Sequence, residues 1–224
     1  MILLTMHKLK SNHINLNEKT RLYQCHIPII ALTGSIATGK STVSEILKGL
    51  GLQVIDADKL VKEIYLENAT LAFIQDLVPE AVNNGQINFQ HLRSVFFEND
   101  EIKLKVENFI YQELPRFFNK ALNKCNFDEW DFLIYDVPLL FEKDLIPFVD
   151  DFILVYTDEK TQLKRLLNRD NMEKDQANLI ISTQISIETK RNKSKNIIKN
   201  LGNLQQLKLQ TEELISKVTH SEKL

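Results

Sequence analysis

The chain has 224 residues, of which 43% are hydrophobic and 26% are charged, so its composition is that of a globular protein with a sizeable core. Its 28 Lys and Arg residues nearly balance 30 Asp and Glu residues, which gives no general reason to expect nucleic acid or an anionic membrane as a partner. Cys25 and Cys125 lack the spacing of a zinc site or a disulfide framework. No window of the sequence reaches about 18 apolar residues, the length that a membrane span needs. The opening "MILLT" makes a poor signal peptide. These features predict a cytoplasmic protein.

The first 26 residues are rich in Asn, Lys and His and show no clear period. We interpret residues 1–26 as an N-terminal extension that either contains one helix around Glu18–Gln24 or is partly disordered. The sequence indicates no function for this segment.

A strand, a loop, a helix and a second strand follow the extension. "IPIIALT", residues 27–33, is short and continuously apolar, as expected for a strand that is buried on both faces. In "KSTVSEILKGLG", residues 40–51, apolar side chains recur at i, i+3, i+4 and i+7, which predicts a helix that stops at Gly51. "LQVID", residues 52–56, then predicts the second strand of a βαβ unit.

The remaining segments extend this unit into an α/β fold. Three more apolar runs have strand character, at residues 132–138, 152–157 and 196–200. The pattern is helical and amphipathic over residues 59–126, over about 159–184 and over 204–217. The sum predicts a parallel five-stranded sheet flanked by helices, with two helical excursions at its carboxyl edge, where such folds place ligands.

The first loop of the βαβ unit, "GSIATGKS", satisfies the pattern G-x-x-x-x-G-K-[ST] in the strand-to-helix context that the pattern requires. Its glycines permit backbone angles that turn N–H groups inward, and the helix start adds the positive end of its dipole, which suits a polyphosphate. Lys40 is expected to bridge the β- and γ-phosphates, and the Ser41 hydroxyl to bind Mg²⁺. The predicted nucleoside triphosphate site comprises Gly34, Ser35, Ile36, Ala37, Thr38, Gly39, Lys40, Ser41 and Thr42.

Three kinds of protein are compatible with this loop: a small-molecule kinase, a GTPase, and a nucleotide-gated binding protein without transfer chemistry. A GTPase is expected to carry N-K-x-D and D-x-x-G, and neither pattern occurs in the chain. The sequence therefore argues against guanine specificity and leaves the kinase and the binding protein open.

Acidic residues at strand ends are candidates for the other functions of a kinase site. "VIDAD" places Asp56 and Asp58 after the second strand, where a carboxylate can orient or deprotonate an accepting hydroxyl. Helix capping is the alternative role, and we assign capping to Asp56 and catalysis to Asp58. Asp136 ends the third strand, where it either holds Mg²⁺ through water or caps the next turn.

Two arginines in "TQLKRLLNRD" are four residues apart, and Arg165 and Arg169 therefore share one helix face. Paired arginines at this spacing usually form a solvated face. Here they lie on the helical excursion beyond the fourth strand, so we expect at least one of them to contact the transferring phosphate.

The order of these motifs resembles that of the dephospho-coenzyme A kinase family, from Ile29 to about Leu214. The resemblance implies a P-loop NTPase fold with a helical acceptor-binding domain at residues 59–126 and a lid at 160–190. Its nucleotide-binding core would consist of residues 27–58, 127–159 and 191–224. The motifs that carry it are "ALTGSIATGKSTV", "GLQVIDADKLV", "NNGQINFQHLRSVFF", "DVPLLFE" and "TQLKRLLNRD", followed by Gln184, Lys190 and "IIKN" at 197–200.

The resemblance also implies a reaction, the transfer of the γ-phosphoryl group of ATP to the ribose 3′-hydroxyl of dephospho-CoA. This is the final step of coenzyme A biosynthesis and gives CoA and ADP. By the resemblance, Asp58 takes or orients the hydroxyl proton, Arg169 neutralises charge on the moving phosphoryl group, and Asn200 lies near the adenine. The implied partners are ATP and dephospho-CoA, and neither nucleic acid nor a membrane is expected to bind. The sequence does not predict the oligomeric state. A kinase for another acceptor, such as a nucleoside monophosphate, and a non-catalytic ATP-binding paralogue are the alternatives.

Several positions differ from the family pattern, and they fall in the loop, in the acceptor-binding domain and before the last strand. We expect these differences to change acceptor affinity more than phosphoryl transfer. The loop has Ser35, Ala37 and Thr38 where glycine is frequent, Phe89 and Lys195 replace an arginine and an aspartate, and Tyr111 and Gln112 replace a His-Pro pair.

Overall fold

The computed structural model describes residues 5–170 and 173–223, with the backbone alone at residues 169, 170 and 223. The strands are β1 Thr5–Leu9, β2 Ile29–Thr33, β3 Val54–Asp56, β4 Val82–Asn83, β5 Gln86–Ile87, β6 Leu133–Asp136, β7 Asp151–Tyr156, β8 Asn196–Lys199 and β9 Thr219–Lys223. The helices are α1 Lys40–Gly49, α2 Ala57–Tyr65, α3 Asn68–Leu77, α4 Phe89–Glu98, α5 Asp100–Leu122, α6 Glu159–Asp170, α7 Lys174–Ser182, α8 Ile187–Asn192 and α9 Leu204–Val218. The chain divides into two compact units, Met1–Asp56 with Cys125–Leu224, and Ala57–Lys124.

The first unit is built on a five-stranded parallel sheet in the order β3-β6-β2-β7-β8. Every residue of the central strand β2 is buried, which explains why its sequence is continuously apolar rather than alternating. Leu47 of α1 and Ile215 of α9 belong to the same buried cluster as Leu32 and Val155 of the sheet. Each such side chain stabilises the fold by about 1.5–3 kcal/mol. The predicted α/β class and the five parallel strands are confirmed.

The register of the sheet aligns the carboxyl ends of its strands at one edge. Asp56, the last residue of β3, pairs in register with Asp136, the last residue of β6. Leu32, one residue before the end of β2, is the partner of Asp136 on the other side. The loop "GSIATGKS", residues 34–41 and called the phosphate loop below, leaves β2 at this edge. The two strand-end carboxylates therefore lie on strands that end where this loop begins.

The second unit is helical and contains α2 to α5. Its core includes Ile64, Ile74, Leu92 and Phe118, each with less than 2% of its surface exposed. A short hairpin of β4 and β5 interrupts the helices, which the sequence pattern did not predict. Asn84 and Gly85 form its two-residue turn, and both have positive φ, as a hairpin turn of this length requires.

Over residues 5–26, the part of the N-terminal extension that the structure describes, the fold differs from the predicted helix. Residues 5–9 form β1, which pairs antiparallel with β9, so that Leu9 faces Thr219. A 3₁₀ turn at Leu22–Gln24 replaces the expected helix around Glu18–Gln24, because Tyr23 within it has a φ of 53°. Two-stranded pairing between distant ends of the chain has no local signature in either segment, which is why the sequence pattern missed it.

A buried ion pair fixes the extension to the sheet. Arg21 Nε lies 2.5 Å from Asp150 Oδ2, and the two side chains are 4% and 0% exposed. Arg21 Nη2 lies 3.1 Å from the second carboxylate oxygen, so the pair is bidentate. Asp150 also accepts hydrogen bonds from the backbone N–H groups of Leu16 and Ile29. One carboxylate therefore joins the extension to the start of β2.

Two sequence expectations concern features other than the fold. Across residues 5–170 and 173–223, the structure contains no helix with both the length and the apolar character needed to cross a bilayer. Within the same ranges, Cys25 is buried, Cys125 is half-buried, and the two are not joined in a disulfide.

Candidate active site

Side chains from outside the phosphate loop hold its carbonyl groups. Gln162 of α6 donates through Nε2 to the Ile36 carbonyl at 2.7 Å. Arg165, one turn further along α6, donates through Nη1 to the carbonyls of Ala37 at 3.2 Å and Thr38 at 3.3 Å. With three consecutive carbonyl oxygens engaged by these donors, the loop can present the start of α1 and those N–H groups that are not already bonded within the protein to an anion.

The beginning of the loop is closely packed. A Cβ atom at Gly34 would lie 2.7 Å from Thr38 Oγ1 and 2.8 Å from the Val155 carbonyl oxygen, so only glycine fits. Thr38 is fully buried, and its hydroxyl donates to the Ser35 carbonyl at 2.8 Å. The Ser35 hydroxyl is itself buried and has no hydrogen-bond partner within the described part of the chain. The buried Thr38 side chain therefore holds the beginning of the loop, through its hydrogen bond to Ser35 and its contact with Gly34.

The end of the loop depends on Asn200 and on a left-handed backbone. Asn200 Nδ2 donates to the Thr38 carbonyl at 2.8 Å. Gly39 has a φ of 89°, and a Cβ atom there would lie 2.1 Å from Asn200 Nδ2. Ala37 also has a positive φ, of 61°, which costs a non-glycine residue about 1–2 kcal/mol. The hydrogen bond from Arg165 to the Ala37 carbonyl helps to offset this cost.

Gly39→Ala should reduce ATP affinity by more than about tenfold, because both the left-handed backbone and the contact with Asn200 oppose a Cβ atom. Gly49→Ala is the matched control. Gly49 is the last residue of α1, has no neighbour within 4 Å of an added Cβ atom, and is expected to keep ATP affinity unchanged. Calorimetric titration with ATP measures both variants, and equal ATP affinities would show that Gly39 is not needed for the shape of the loop.

Lys40 and Asp136 form an ion pair at the carboxyl edge of the sheet. Lys40 is the first residue of α1, and its Nζ atom contacts Asp136 Oδ1. The side chain of Asp136 is only 4% exposed. Ser41 and Thr42, which follow Lys40 in α1, are exposed. The structure therefore brings together the ammonium group predicted for the phosphates and the carboxylate predicted for Mg²⁺.

The predicted nucleotide-binding residues Arg165 and Asn200 also contact each other. Arg165 Nη2 donates to the Asn200 carbonyl at 3.1 Å, and the Asn200 N–H donates to the Tyr156 carbonyl at 2.8 Å. In this arrangement both side chains bind main-chain groups of the loop, so their direct contact with ATP remains a prediction. Arg169 belongs to α6, but its side chain lies outside the described part of the structure.

Asp58 lies in the first turn of α2, two residues after β3 ends, and its side chain is exposed. It lines a cavity of about 620 Å³ in the helical unit. Tyr65 and Phe89 contribute aromatic rings to the wall, 5.2 Å apart and nearly perpendicular. Burial raises the pKa of the Tyr65 hydroxyl above its usual range, which keeps this phenol neutral. The remaining lining residues are Val61, Lys62, Leu66, Leu92, Arg93 and Phe96.

Comparison with known proteins identifies the family. A family model described as dephospho-CoA kinase matches residues 28–206. The dephospho-CoA kinase of Staphylococcus aureus is 35% identical over 206 residues, which cover 87% of this chain and 95% of that protein. This chain belongs to the dephospho-CoA kinase family. The dephospho-CoA kinase of Fusobacterium nucleatum is 37% identical over 183 residues, covering 81% of this chain and 93% of that protein.

Solved structures share this fold, and one of them is a dephospho-CoA kinase. A crystal structure from Thermus thermophilus superposes with a TM-score of 0.77 and 26% identity, covering 88% of this chain and all of that one. The dephospho-CoA kinase from Campylobacter jejuni gives a TM-score of 0.61 and 27% identity, with coverages of 85% and 96%. The prediction of a kinase that completes coenzyme A synthesis is confirmed, and neither a kinase for another acceptor nor a non-catalytic ATP-binding paralogue is favoured.

The structure also reveals contacts that sequence reasoning missed. Lys190, which the motifs include without a role, is fully buried, with Nζ 2.7 Å from Glu142 Oε1. Gln184 Oε1 accepts a hydrogen bond from the Ile36 N–H at 2.9 Å. Gln162 precedes Arg165 by three residues, so helical spacing places the two on one face and is the signal that could have identified it. No local pattern identifies the partners of Lys190 and Gln184.

Proposed function

We propose that this member of the family transfers the γ-phosphoryl group of ATP to the ribose 3′-hydroxyl of dephospho-CoA through the residues described above. The family match over residues 28–206 carries the proposal for the acceptor. For the donor, Lys40 at the start of α1 supplies a positive charge to the β- and γ-phosphates, and the loop N–H groups add hydrogen bonds. Arg169, on α6, is proposed to neutralise charge on the moving phosphoryl group.

Mg²⁺ fits the residues at the carboxyl edge of the sheet. The Ser41 hydroxyl and the Asp136 carboxylate are hard oxygen donors, and residues 5–170 and 173–223 contain no cluster of three or more His, Cys, Asp or Glu residues that could hold a metal. Such a sparse donor set suits Mg²⁺, which usually binds one or two carboxylates together with substrate phosphates and water. When bound, Mg²⁺ would neutralise charge on the phosphates, while Lys40 orients them from the helix start.

The cavity of the helical unit is proposed to bind the acceptor. Dephospho-CoA combines an adenine ring and a long, largely uncharged arm with a diphosphate, so its site needs an apolar wall and positive charges. The cavity offers both, since Tyr65, Phe89 and Phe96 line it together with Lys62 and Arg93. Asp58 lines the same cavity and is proposed to accept or orient the proton of the 3′-hydroxyl.

Arg93→Met should raise the KM for dephospho-CoA about three- to tenfold and leave the KM for ATP unchanged, because the exposed guanidinium is proposed to pair with the acceptor diphosphate. Arg116→Met is the matched control. Arg116 is an exposed arginine of the same unit, pairs with Glu113 on α5 and does not line the cavity. Steady-state kinetics with each substrate varied in turn give both constants. A similar rise in both KM values would argue against a diphosphate contact at Arg93.

A panel of acceptors tests the proposed function. ADP release is followed with Mg²⁺ and ATP in the presence of dephospho-CoA, nucleoside monophosphates or nucleosides. The proposal predicts ADP release that depends on dephospho-CoA, and release with only the other acceptors would contradict it.

A further inference from the structure

Two glutamines from outside the phosphate loop bind both main-chain polar groups of one loop residue. Gln162 Nε2 donates to the Ile36 carbonyl at 2.7 Å, and Gln184 Oε1 accepts from the Ile36 N–H at 2.9 Å. The chemistry of each partner fixes the orientation of each amide, since a carbonyl needs a donor and an N–H needs an acceptor. Gln162 is buried, with 1% of its surface exposed.

This part of the loop needs support from outside. Ala37, the next residue, has a φ of 61° in a segment with no glycine between Gly34 and Gly39. Alanine disfavours that conformation, so the backbone of this loop does not select its own shape as a glycine-rich loop would. Hydrogen bonds to Ile36, the residue immediately before Ala37, restrict the other backbone conformations that the loop could adopt.

The residue that follows Gln184 is anchored to an ion pair between Lys190 and Glu142. The N–H of Ile185, the following residue, donates to Glu142 Oε1 at 3.1 Å. Lys190 Nζ lies 2.7 Å from the same oxygen, and the Lys190 side chain is fully buried. Burying an ammonium group is costly unless an opposite charge compensates it, so the pair fixes the segment between α7 and α8 relative to the loop that follows β6.

We propose that Gln162 and Gln184 are positioning residues for ATP, and that together they clamp Ile36 so that the phosphate loop is preformed. The clamp rests on the proposed function, because it acts on the ATP site of the same reaction. It links α6 and the segment between α7 and α8 to the phosphates through the loop backbone.

Methionine variants test the clamp, because methionine keeps the length of glutamine without its hydrogen-bonding groups. Gln162→Met and Gln184→Met should each raise the Kd and the KM for ATP about three- to tenfold, the effect of one hydrogen bond. The KM for dephospho-CoA and the thermal midpoint should change little. Gln176→Met is the matched control, since Gln176 is an exposed residue of α7, and it should leave all four quantities unchanged.

A pH profile separates positioning from a structural role. In Gln162→Glu, an ionised carboxylate cannot donate to the Ile36 carbonyl, whereas the protonated acid can. Burial favours the protonated acid, so the ATP affinity of this variant relative to wild type should recover as the pH falls from 8 to about 5. A glutamine that only fills space gives no such recovery.

Unchanged ATP dissociation constants in both methionine variants would overturn the clamp. Equal losses of ATP and acceptor affinity with a lowered midpoint would do the same, as would a defect of Gln162→Glu that is independent of pH. If the wild type binds ATP but does not phosphorylate dephospho-CoA, the proposed function fails, while the ATP dissociation constants of the variants still decide the clamp.

Discussion

Asp58→Asn should lower kcat about 10²- to 10⁴-fold and leave the Kd for ATP nearly unchanged, as expected for the loss of a general base. Asp58 is exposed in the first turn of α2 and lines the cavity proposed for the acceptor. Asparagine keeps the size and the hydrogen-bonding capacity of the side chain but cannot take a proton. Turnover with dephospho-CoA and calorimetric titration with ATP measure the two quantities separately.

The same variant distinguishes catalysis from helix capping. An acid in the first turn interacts favourably with the helix dipole by about 0.3–1 kcal/mol, so a purely structural Asp58 predicts a small loss of stability and normal turnover. Asp76→Asn is the control, because Asp76 is an exposed acid on α3 of the same unit that does not line the cavity. Wild-type turnover in Asp58→Asn would remove this residue from the mechanism.

Arg21→Met should lower the free energy of unfolding by about 3–5 kcal/mol, because it leaves the buried carboxylate of Asp150 without its counter-ion. That loss is large compared with the about 5–15 kcal/mol that stabilises a typical domain. Urea denaturation followed by circular dichroism measures it. The extension would thereby be shown to be part of the folded core rather than an appendage.

Lys8→Met is the matched control for Arg21→Met. Lys8 belongs to β1 of the same extension and pairs with Glu222 of β9, but these side chains are 35% and 46% exposed, against 4% and 0% for Arg21 and Asp150. Its removal should change stability little, because exposed ion pairs are screened by water and salt. A loss in Arg21→Met no larger than that in Lys8→Met would contradict the structural role of the buried pair.

The elements that position the phosphate loop could be predicted from sequence because their signals are local. The apolar run before Gly34 identifies β2, and the i, i+3, i+4 pattern after Lys40 identifies α1. Strand ends at Asp56 and Asp136 follow in the same way, since each carboxylate ends an apolar segment. These features depend on neighbours within about ten residues in the chain.

Features that depend on distant partners could not be predicted. Arg21 meets Asp150 across 129 positions of the chain, and Gln184 meets Ile36 across 148. Nothing near either residue indicates such a partner. The partners of Arg165 could not be predicted either. Helical spacing assigned Arg165 to one face of α6, but it could not reveal that this side chain donates to carbonyls of the phosphate loop.

The fate of the γ-phosphate is the most direct test of the central claim. The wild-type protein is incubated with Mg²⁺, dephospho-CoA and ATP labelled at the γ-phosphate, and the labelled product is separated and its phosphate located by NMR. The account predicts label on the ribose 3′-oxygen of CoA, in equal amount to the ADP formed. Label that appears only in inorganic phosphate, or at another hydroxyl, would contradict it.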